Sequence, residues 1–283
     1  MAGDMGKTDY EKQDREYMEG KAKPLSEYGS VLLTSSRFLN SAVMRDVYAQ
    51  EGLRKDGRDV PATYMVHQAA MAISALTDTD ECERLVEAER AKNPEFAAWL
   101  DKRSLSDFTL ADLEGYAPDT LGGIVHNYLF TNGFDLNHSR RGLVPTTDYT
   151  FMQKQRVVSH DIEHIVSGLG PNLIGEHALI ACNLKCNYDY FSPELACELT
   201  RMSGFLMSTG VMKINLHTPH LMGEYLKAVA IGIEMAEGMK RPLLVTDWRA
   251  YLDWTIEDIR KDLNILNAQP PGTWEWTNEA SRY

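Results

Sequence analysis

The sequence predicts an all-α protein, a single multi-helix bundle domain, and three observations carry this prediction. Apolar residues recur at intervals of three and four through most of the 283-residue chain. Proline, serine, threonine and glycine stand where these periodic segments would begin and end. No segment shows the strict apolar–polar alternation that is typical of strands. With 43% hydrophobic residues, the chain can bury a substantial core.

The domain is expected to span residues 25–283, preceded by a mobile arm at residues 1–24. The arm mixes acidic residues with lysines and lacks apolar periodicity. This composition fits neither a secretory signal nor a transit peptide. We therefore predict a cytoplasmic, bacterial protein.

The first half of the domain contains predicted helices of moderate length. Pro61 and Pro94 are expected to open two of them, Thr79 with an acidic first turn opens another, and Gly52 and Gly133 supply stops. The predicted helices cover residues 36–50, 61–76, 79–92, 94–102 and 118–131, with a short helical turn at 108–116.

The second half begins with a predicted surface loop at residues 135–149, which carries His138, Arg140 and Arg141 and is either a lid or a connector. Longer helical patterns follow it, and Thr255 resembles a capping residue. The predicted helices cover residues 150–168 and 171–187, a segment that begins at 193, and residues 218–238, 247–254 and 255–266.

A pair of histidines lies within this second half. His160 and His164 are four residues apart, so on a helix they share a face with Cβ atoms roughly 5–6 Å apart. Gly168 is expected to end that helix and Pro171 to open the next one. Glu176 would then lie on a second helix that folds back beside the first.

These side chains form a candidate metal and catalytic site. Two imidazoles with one or two carboxylates suit zinc, iron or manganese. Glu176 lies among apolar residues, where an unpaired carboxylate would be costly to bury. Asp161, about 100° round the helix from His160, is either a ligand or a carboxylate that orients an imidazole. The alternative is that His160 and His164 are ordinary half-exposed helix residues.

Charge, hydropathy and cysteine content limit the other classes of function. A formal charge of -12 argues against nucleic acid as the main partner, because phosphate binding leaves a basic footprint. No apolar run is long enough to span a bilayer. Cys82, Cys182, Cys186 and Cys197 are expected to be reduced thiols. Cys182 and Cys186 are four apart and could bind metal, but core packing is favoured.

The motif of His160-Asp161-x-x-His164, eleven further residues and Glu176 resembles that of the coenzyme Q biosynthesis protein 4 family. Two outer segments agree, one with Leu121, Gly122 and Tyr128, the other from Gly238 through Arg260 to Ile265. The resemblance covers about Asp119 to Ile265. The chain departs from it at Glu163, where the family commonly has an aromatic residue, and at Arg249, where a glutamate is usual.

The resemblance implies an all-helical fold and a divalent metal at His160, Asp161, His164 and Glu176. It also implies peripheral association with the inner membrane and a prenylated aromatic or quinone-like lipid as ligand. The implied activity is oxidative decarboxylation of the carboxylated aromatic head group in ubiquinone biosynthesis. Other quinone-biosynthesis enzymes and a second copy of the chain, as a homodimer, are the expected partners.

Two alternatives remain open from the sequence. The first is a non-catalytic quinone- or lipid-binding scaffold, in which methionine-rich helices hold the lipid and the metal is structural. The second is a metal-dependent hydrolase, since His-Asp dyads occur in phosphohydrolases. Those sites need a further upstream histidine and downstream aspartate, and Asp161 is shorter than the glutamate of a His-Glu-x-x-His protease.

Overall fold

The structure, a computed structural model, describes residues 36–55, 65–133, 136 and 143–280. Within these ranges the regular secondary structure is helical, with one isolated antiparallel bridge between Thr120 and Thr255 and no strand. The prediction of an all-α bundle is confirmed. The predicted arm at residues 1–24 lies outside the described residues, as do His138, Arg140 and Arg141 of the predicted loop.

The described residues divide between two compact units, one ending at Arg45 and the other beginning at Asp46. In the first unit, the Ser36 hydroxyl caps a short helix by accepting from the amide of Leu39. Every element that follows Leu53 lies in the second unit. The helices are α1 (Arg37–Asn40), α2 (Ala42–Leu53), α3 (Val66–Ala75), α4 (Thr79–Lys92), α5 (Pro94–Lys102), α6 (Leu121–Asn132), α7 (Asp148–Val158), α8 (His160–Ser167), α9 (Leu173–Tyr190), α10 (Pro193–His217), α11 (Met222–Ala236), α12 (Ile256–Leu263) and α13 (Thr277–Ala280), with 3₁₀ turns at Ala111–Leu113, Pro219–Leu221, Leu243–Val245 and Trp248–Tyr251.

Capping residues start several helices close to where the sequence predicts. Asp78 accepts from the amide of Glu81 at the start of α4, and Asn93 accepts from Phe96 at the start of α5. Thr255 accepts from the amide of Asp258 and so opens α12. These side chains satisfy amide groups that have no partner within the helix.

Three predicted helices differ in the structure. The segment predicted as one helix over residues 36–50 is two helices, α1 and α2, with Ser41 extended between them. The segment predicted as one helix over residues 150–168 is two helices, α7 and α8, separated at Ser159. Ser159 keeps near-helical angles (φ -90°, ψ -13°), its amide bonds to the carbonyl of Gln155, and its own carbonyl accepts from the amide of Glu163. The predicted helix at residues 247–254 is a 3₁₀ turn. Apolar spacing does not reveal such interruptions, because both conformations bury similar faces.

Helix α9 is the centre of the second unit and packs against α10 and α11. Gly232 allows the backbone of α11 to approach that of α9 closely, since a Cβ at that position would lie 2.0 Å from the carbonyl oxygen of Ala178. One hydrophobic cluster joins α6, α8, α9, α11 and α12, and a second joins α4, α5, α7 and the start of α10. The first cluster supports the helices that carry the histidine motif.

None of the helices in the described part of the chain is both long enough and apolar enough to cross a bilayer.

Candidate metal centre

Helix α8 places two histidines side by side. The Nε2 atoms of His160 and His164 lie 3.2 Å apart. The apolar side of the helix is buried in the core through Ile162 and Val166. Because the burial of that side sets the rotation of the helix, it also sets the direction of both imidazoles.

The C-terminal end of α8 is held by residues from the last part of the chain. Arg260 Nε donates to the carbonyl of Val166 at 2.6 Å, and the amide of Gln269 donates to the carbonyl of Ser167 at 3.2 Å. Gly168 ends the helix in the left-handed region with φ +76°. These contacts satisfy carbonyls that a helix end leaves without partners, and they fix α8 in place.

We expect Gly168→Ala to destabilise the protein by about 2 kcal/mol or more. The backbone at this position has a positive φ, which alanine disfavours. The added Cβ would also lie 1.9 Å from the carbonyl oxygen of Gln269. Gly204→Ala is the matched control, because Gly204 lies inside α10 with no atom within 4 Å of its would-be Cβ. It should stabilise by roughly 0.5–1 kcal/mol. Thermal denaturation measures both, and equal shifts would contradict this account.

Helix α9 brings a carboxylate to the two histidines. Asn172 caps the helix by accepting from the amide of Gly175 at 2.9 Å, which places Glu176 in the first turn. Glu176 Oε2 lies 3.0 Å from His164 Nε2, and Oε1 lies 3.5 Å from His160 Nε2. The structure therefore brings His160, His164 and Glu176 together.

The contact of Nδ1 determines which tautomer His164 adopts. Nδ1 lies 2.5 Å from the carbonyl oxygen of Leu169, so Nδ1 carries a hydrogen and donates it. Nε2 of the neutral ring is then an acceptor, and it faces an acceptor oxygen of Glu176 at 3.0 Å. Two converging lone pairs repel unless a proton or a metal cation lies between them.

The charges of the cluster shift its pKa values in opposite directions. Burial lowers the pKa of His160, but the charge of Glu176 and its hydrogen bond outweigh burial and raise that pKa to about 9. Burial raises the pKa of Glu176, but His160 and His164 hold it well below its usual value. A proton on His160 is thus one cation that can satisfy the cluster, and a metal ion would compete with it.

The distances between donor atoms fit a divalent metal. Ligand bonds of 2.0–2.2 Å to zinc give edges of about 3.0–3.5 Å between neighbouring ligands in octahedral to tetrahedral geometry. The two imidazole nitrogens lie 3.2 Å apart, and each lies 3.0 or 3.5 Å from a different oxygen of Glu176, so the individual contacts fall in this range. Among the described residues, these three side chains form a group able to hold a metal ion.

One side of the cluster is open to solvent. The side chain of His164 is 6% exposed, whereas those of His160 and Glu176 are 41% and 31% exposed. Three protein donors with an accessible side leave room for a water or substrate ligand, which is typical of catalytic sites and not of structural ones.

Asp161, the fourth predicted ligand, is not part of this group of three. It lies on α8 towards Tyr128 of α6. Burial first and then the negative charge of Asp161 raise the pKa of Tyr128 to about 12, so the phenol keeps its proton at neutral pH. The negative charge of Asp161 also contributes to the raised pKa of His160.

The remaining histidines and cysteines singled out in the sequence lie elsewhere. His67 is exposed on α3, His217 contacts the carbonyl of Leu53, and His220 is exposed in a 3₁₀ turn. Cys182 and Cys186 are buried in the hydrophobic core, where burial raises their thiol pKa values.

Sequence reasoning missed the side chains that hold the two helices around the cluster. Glu163 and Asn183 are buried and bonded to each other, and Arg260 bonds to the end of α8. Glu163 is visible in the sequence as a charged residue at a core position of a helix. Its partner is twenty positions away, and no local spacing identifies it.

The fold and the cluster define a class: an all-α bundle with a partly exposed two-histidine, one-glutamate centre. No protein-family model matches the chain, and no curated protein matches it. The fold is similar to the crystal structure of a protein from Nostoc punctiforme that has been provisionally assigned to ubiquinone biosynthesis. The TM-score is 0.58 at 23% sequence identity, over 78% of this chain and 94% of that chain. At this identity the similarity establishes a shared fold.

Proposed function

We propose that the protein is a metal-dependent enzyme of ubiquinone biosynthesis or related prenyl-quinone metabolism. Its substrate would be a prenylated aromatic acid, and its reaction the oxidative decarboxylation of the carboxylated head group. The metal would be held by His160, His164 and Glu176, with Asp161 as a further ligand or as a carboxylate at the edge of the site. The single observation that carries the proposal is the convergence of three donor atoms on one accessible point.

Two further facts support this proposal over other metal enzymes. The first is the order and spacing of the motif, which resembles that of the coenzyme Q biosynthesis protein 4 family. The second is the shared fold with the Nostoc punctiforme protein. The first concerns side chains and the second concerns the backbone.

The residues of the chain would have distinct parts in this reaction. The carbonyl of Leu169 accepts the hydrogen bond from Nδ1 of His164, so the lone pair of Nε2 is available to bind a metal. Glu176 offers its two oxygens to the same point from α9. When bound, a divalent metal supplies Lewis acidity, and iron or manganese also supplies dioxygen chemistry. The exposed side of His160 leaves an approach for the aromatic acid.

The proposed reaction replaces a ring carboxyl group by a hydroxyl group. The carbon–carbon bond to the carboxyl breaks, carbon dioxide leaves, and a carbon–oxygen bond forms at the same ring position. This exchange removes two electrons from the substrate. We propose that dioxygen accepts these two electrons and leaves as hydrogen peroxide, while water supplies the hydroxyl oxygen. Zinc would not supply this redox step, whereas iron or manganese would.

The same proposal extends to the surroundings of the enzyme. We place it at the cytoplasmic face of the inner membrane as a peripheral protein, where it would meet a prenylated substrate. Other quinone-biosynthesis enzymes and a second copy of the chain are the proposed protein partners.

Elemental analysis and lipid mass spectrometry of one purified sample test the proposal. We expect about one divalent metal per chain and a co-purified prenylated hydroxybenzoate. With dioxygen and the loaded metal, that compound should lose 44 mass units as carbon dioxide and gain one oxygen atom. Metal with a retained quinone but no turnover would favour the scaffold. Turnover of phosphate esters instead would favour the hydrolase.

A further inference from the structure

We propose that Glu163 and Asn183 form a positioning pair that sets the separation and register of α8 and α9 for metal binding. This inference rests on the proposed metal function, because the pair would act on the cation only through His160, His164 and Glu176. Neither side chain belongs to the donor group, so both are positioning residues.

The carboxylate of Glu163 is buried, and both of its oxygens accept hydrogen bonds. Glu163 is 3% exposed. The hydroxyl of Ser159 donates to Oε1 at 2.8 Å, and the amide of Asn183 donates to Oε2 at 2.9 Å. The first bond lies within the α7–α8 junction, whereas the second crosses from α9 to α8.

The positions of these residues along the helices give the pair its effect. Glu163 precedes His164 in α8, and Asn183 follows Glu176 by seven residues, or two turns of α9. Seven residues span about 10.5 Å of helix, and residues at this spacing share a face. Helix α9 therefore presents two polar contacts from one of its faces, two turns apart, to adjacent residues of α8: Glu176 to His164 and Asn183 to Glu163.

Two contacts separated along the axis restrict motions that one contact allows. With apolar packing and a single carboxylate–imidazole contact, small shifts of α9 against α8 are still allowed. A second hydrogen bond two turns further along α9 restricts these shifts. Donor atoms must be held within about 0.5 Å of the productive geometry for a site to be preorganised. The positioning pair supplies this restriction without occupying the accessible side of the site.

The burial of the pair indicates that it does more than stabilise the core. A buried carboxylate is often no more stabilising than apolar residues of similar volume, although removing one partner is costly. What a buried, hydrogen-bonded carboxylate provides is one defined arrangement of its partners, since arrangements that leave a hydrogen bond unmade are unfavourable.

Two substitutions break the pair and leave the donor residues in place. Glu163→Asp keeps the carboxylate but shortens the side chain by one methylene, so it no longer reaches across to the amide of Asn183. Asn183→Leu keeps the volume but removes the donor. Each should weaken Zn²⁺ binding to the full chain by roughly 10- to 100-fold, as measured by chelator competition. The double variant should bind no more weakly than the weaker single variant, because both remove the same hydrogen bond.

Gln155→Leu is the matched control. Gln155 and Ser106 are equally buried and form two hydrogen bonds of 2.9 and 3.0 Å, but neither lies on α8 or α9. This variant should lower the melting temperature as the test variants do, yet keep the Zn²⁺ affinity within about threefold of the original. Visible absorption of bound Co²⁺ gives a second readout, since altered ligand geometry in the test variants changes the spectrum.

The outcomes separate this inference from the proposed function. If the original chain binds no metal, the metal function fails and the positioning pair fails with it. If the original chain binds Zn²⁺ and Asn183→Leu binds it equally well, the metal function stands and the positioning pair is wrong. Additive losses in the double variant would also overturn the pair. Asn183→Ser, which is too short to reach Glu163, replaces the leucine variant if that one does not fold.

Discussion

Alanine at His164 or at Glu176 should weaken Zn²⁺ binding by roughly 1,000-fold or more. Loss of a residue that only orients a ligand typically costs about 10- to 100-fold in metal affinity, and loss of a direct donor should cost more. His164 and Glu176 supply two of the three donor atoms, which lie within 4.8 Å of one another. Two remaining donors hold a divalent ion weakly in water. Chelator competition followed by elemental analysis of the purified variants measures the loss.

His220→Ala is the control for this experiment. His220 is exposed in the 3₁₀ turn before α11 and is not part of the donor group, so its loss should leave Zn²⁺ affinity unchanged. The decarboxylation of a prenylated hydroxybenzoate should disappear in the His164 and Glu176 variants and persist in the His220 variant. Stoichiometric metal in Glu176→Ala at the affinity of the original chain would show that the cluster is not the metal centre.

Zn²⁺ affinity should rise about tenfold for each pH unit between pH 6.5 and pH 8.5. The pKa of His160 is about 9 in the metal-free protein, so this imidazole is protonated through the whole interval and must lose its proton on binding. The pKa of Glu176 lies well below its usual value, so its carboxylate adds no proton to the exchange. A histidine with the ordinary pKa of 6.5 would instead give a nearly flat affinity above pH 7.

Glu176→Gln isolates the cause of this pH dependence. It removes the charge that raises the pKa of His160, while the amide keeps the size of the side chain. The affinity of this variant should be lower at every pH, and its tenfold rise per pH unit should end near pH 7. Calorimetry in buffers of different ionisation enthalpy provides the proton count. It should give about one proton released per ion at pH 7.5 in the original chain. Release of no proton would contradict the raised pKa.

The positions of the main helices were predictable because their causes are local. Asn93 with Pro94 and Thr255 with Asp258 begin helices through contacts within one turn, and such contacts are visible as short sequence patterns. The motif helix was predicted as one segment over residues 150–168 but is interrupted at Ser159. Apolar periodicity reports which side of a helix is buried, and it does not report a break of one residue.

For the candidate site as well, the sequence indicated some features and left others undetermined. The spacing of His160 and His164 determined that the two imidazoles share a face, because a helix imposes that geometry on residues four apart. The sequence also indicated Glu176 as their partner, since an isolated carboxylate among apolar residues needs a cation. The sequence alone could not decide the position of Asp161, which depends on how α8 is rotated against α6.

By itself, the sequence of this protein determined an all-α chain and the residue types of a candidate metal centre, because helix formation and the shared face of His160 and His164 depend on contacts within a few positions. Only the tertiary structure decided that Leu169 holds one tautomer of His164, that Gln269 and Arg260 hold the end of α8, and that Asn183 meets Glu163. Most of these partners lie twenty to a hundred residues apart, and the chain brings them together only when the core of the bundle has formed.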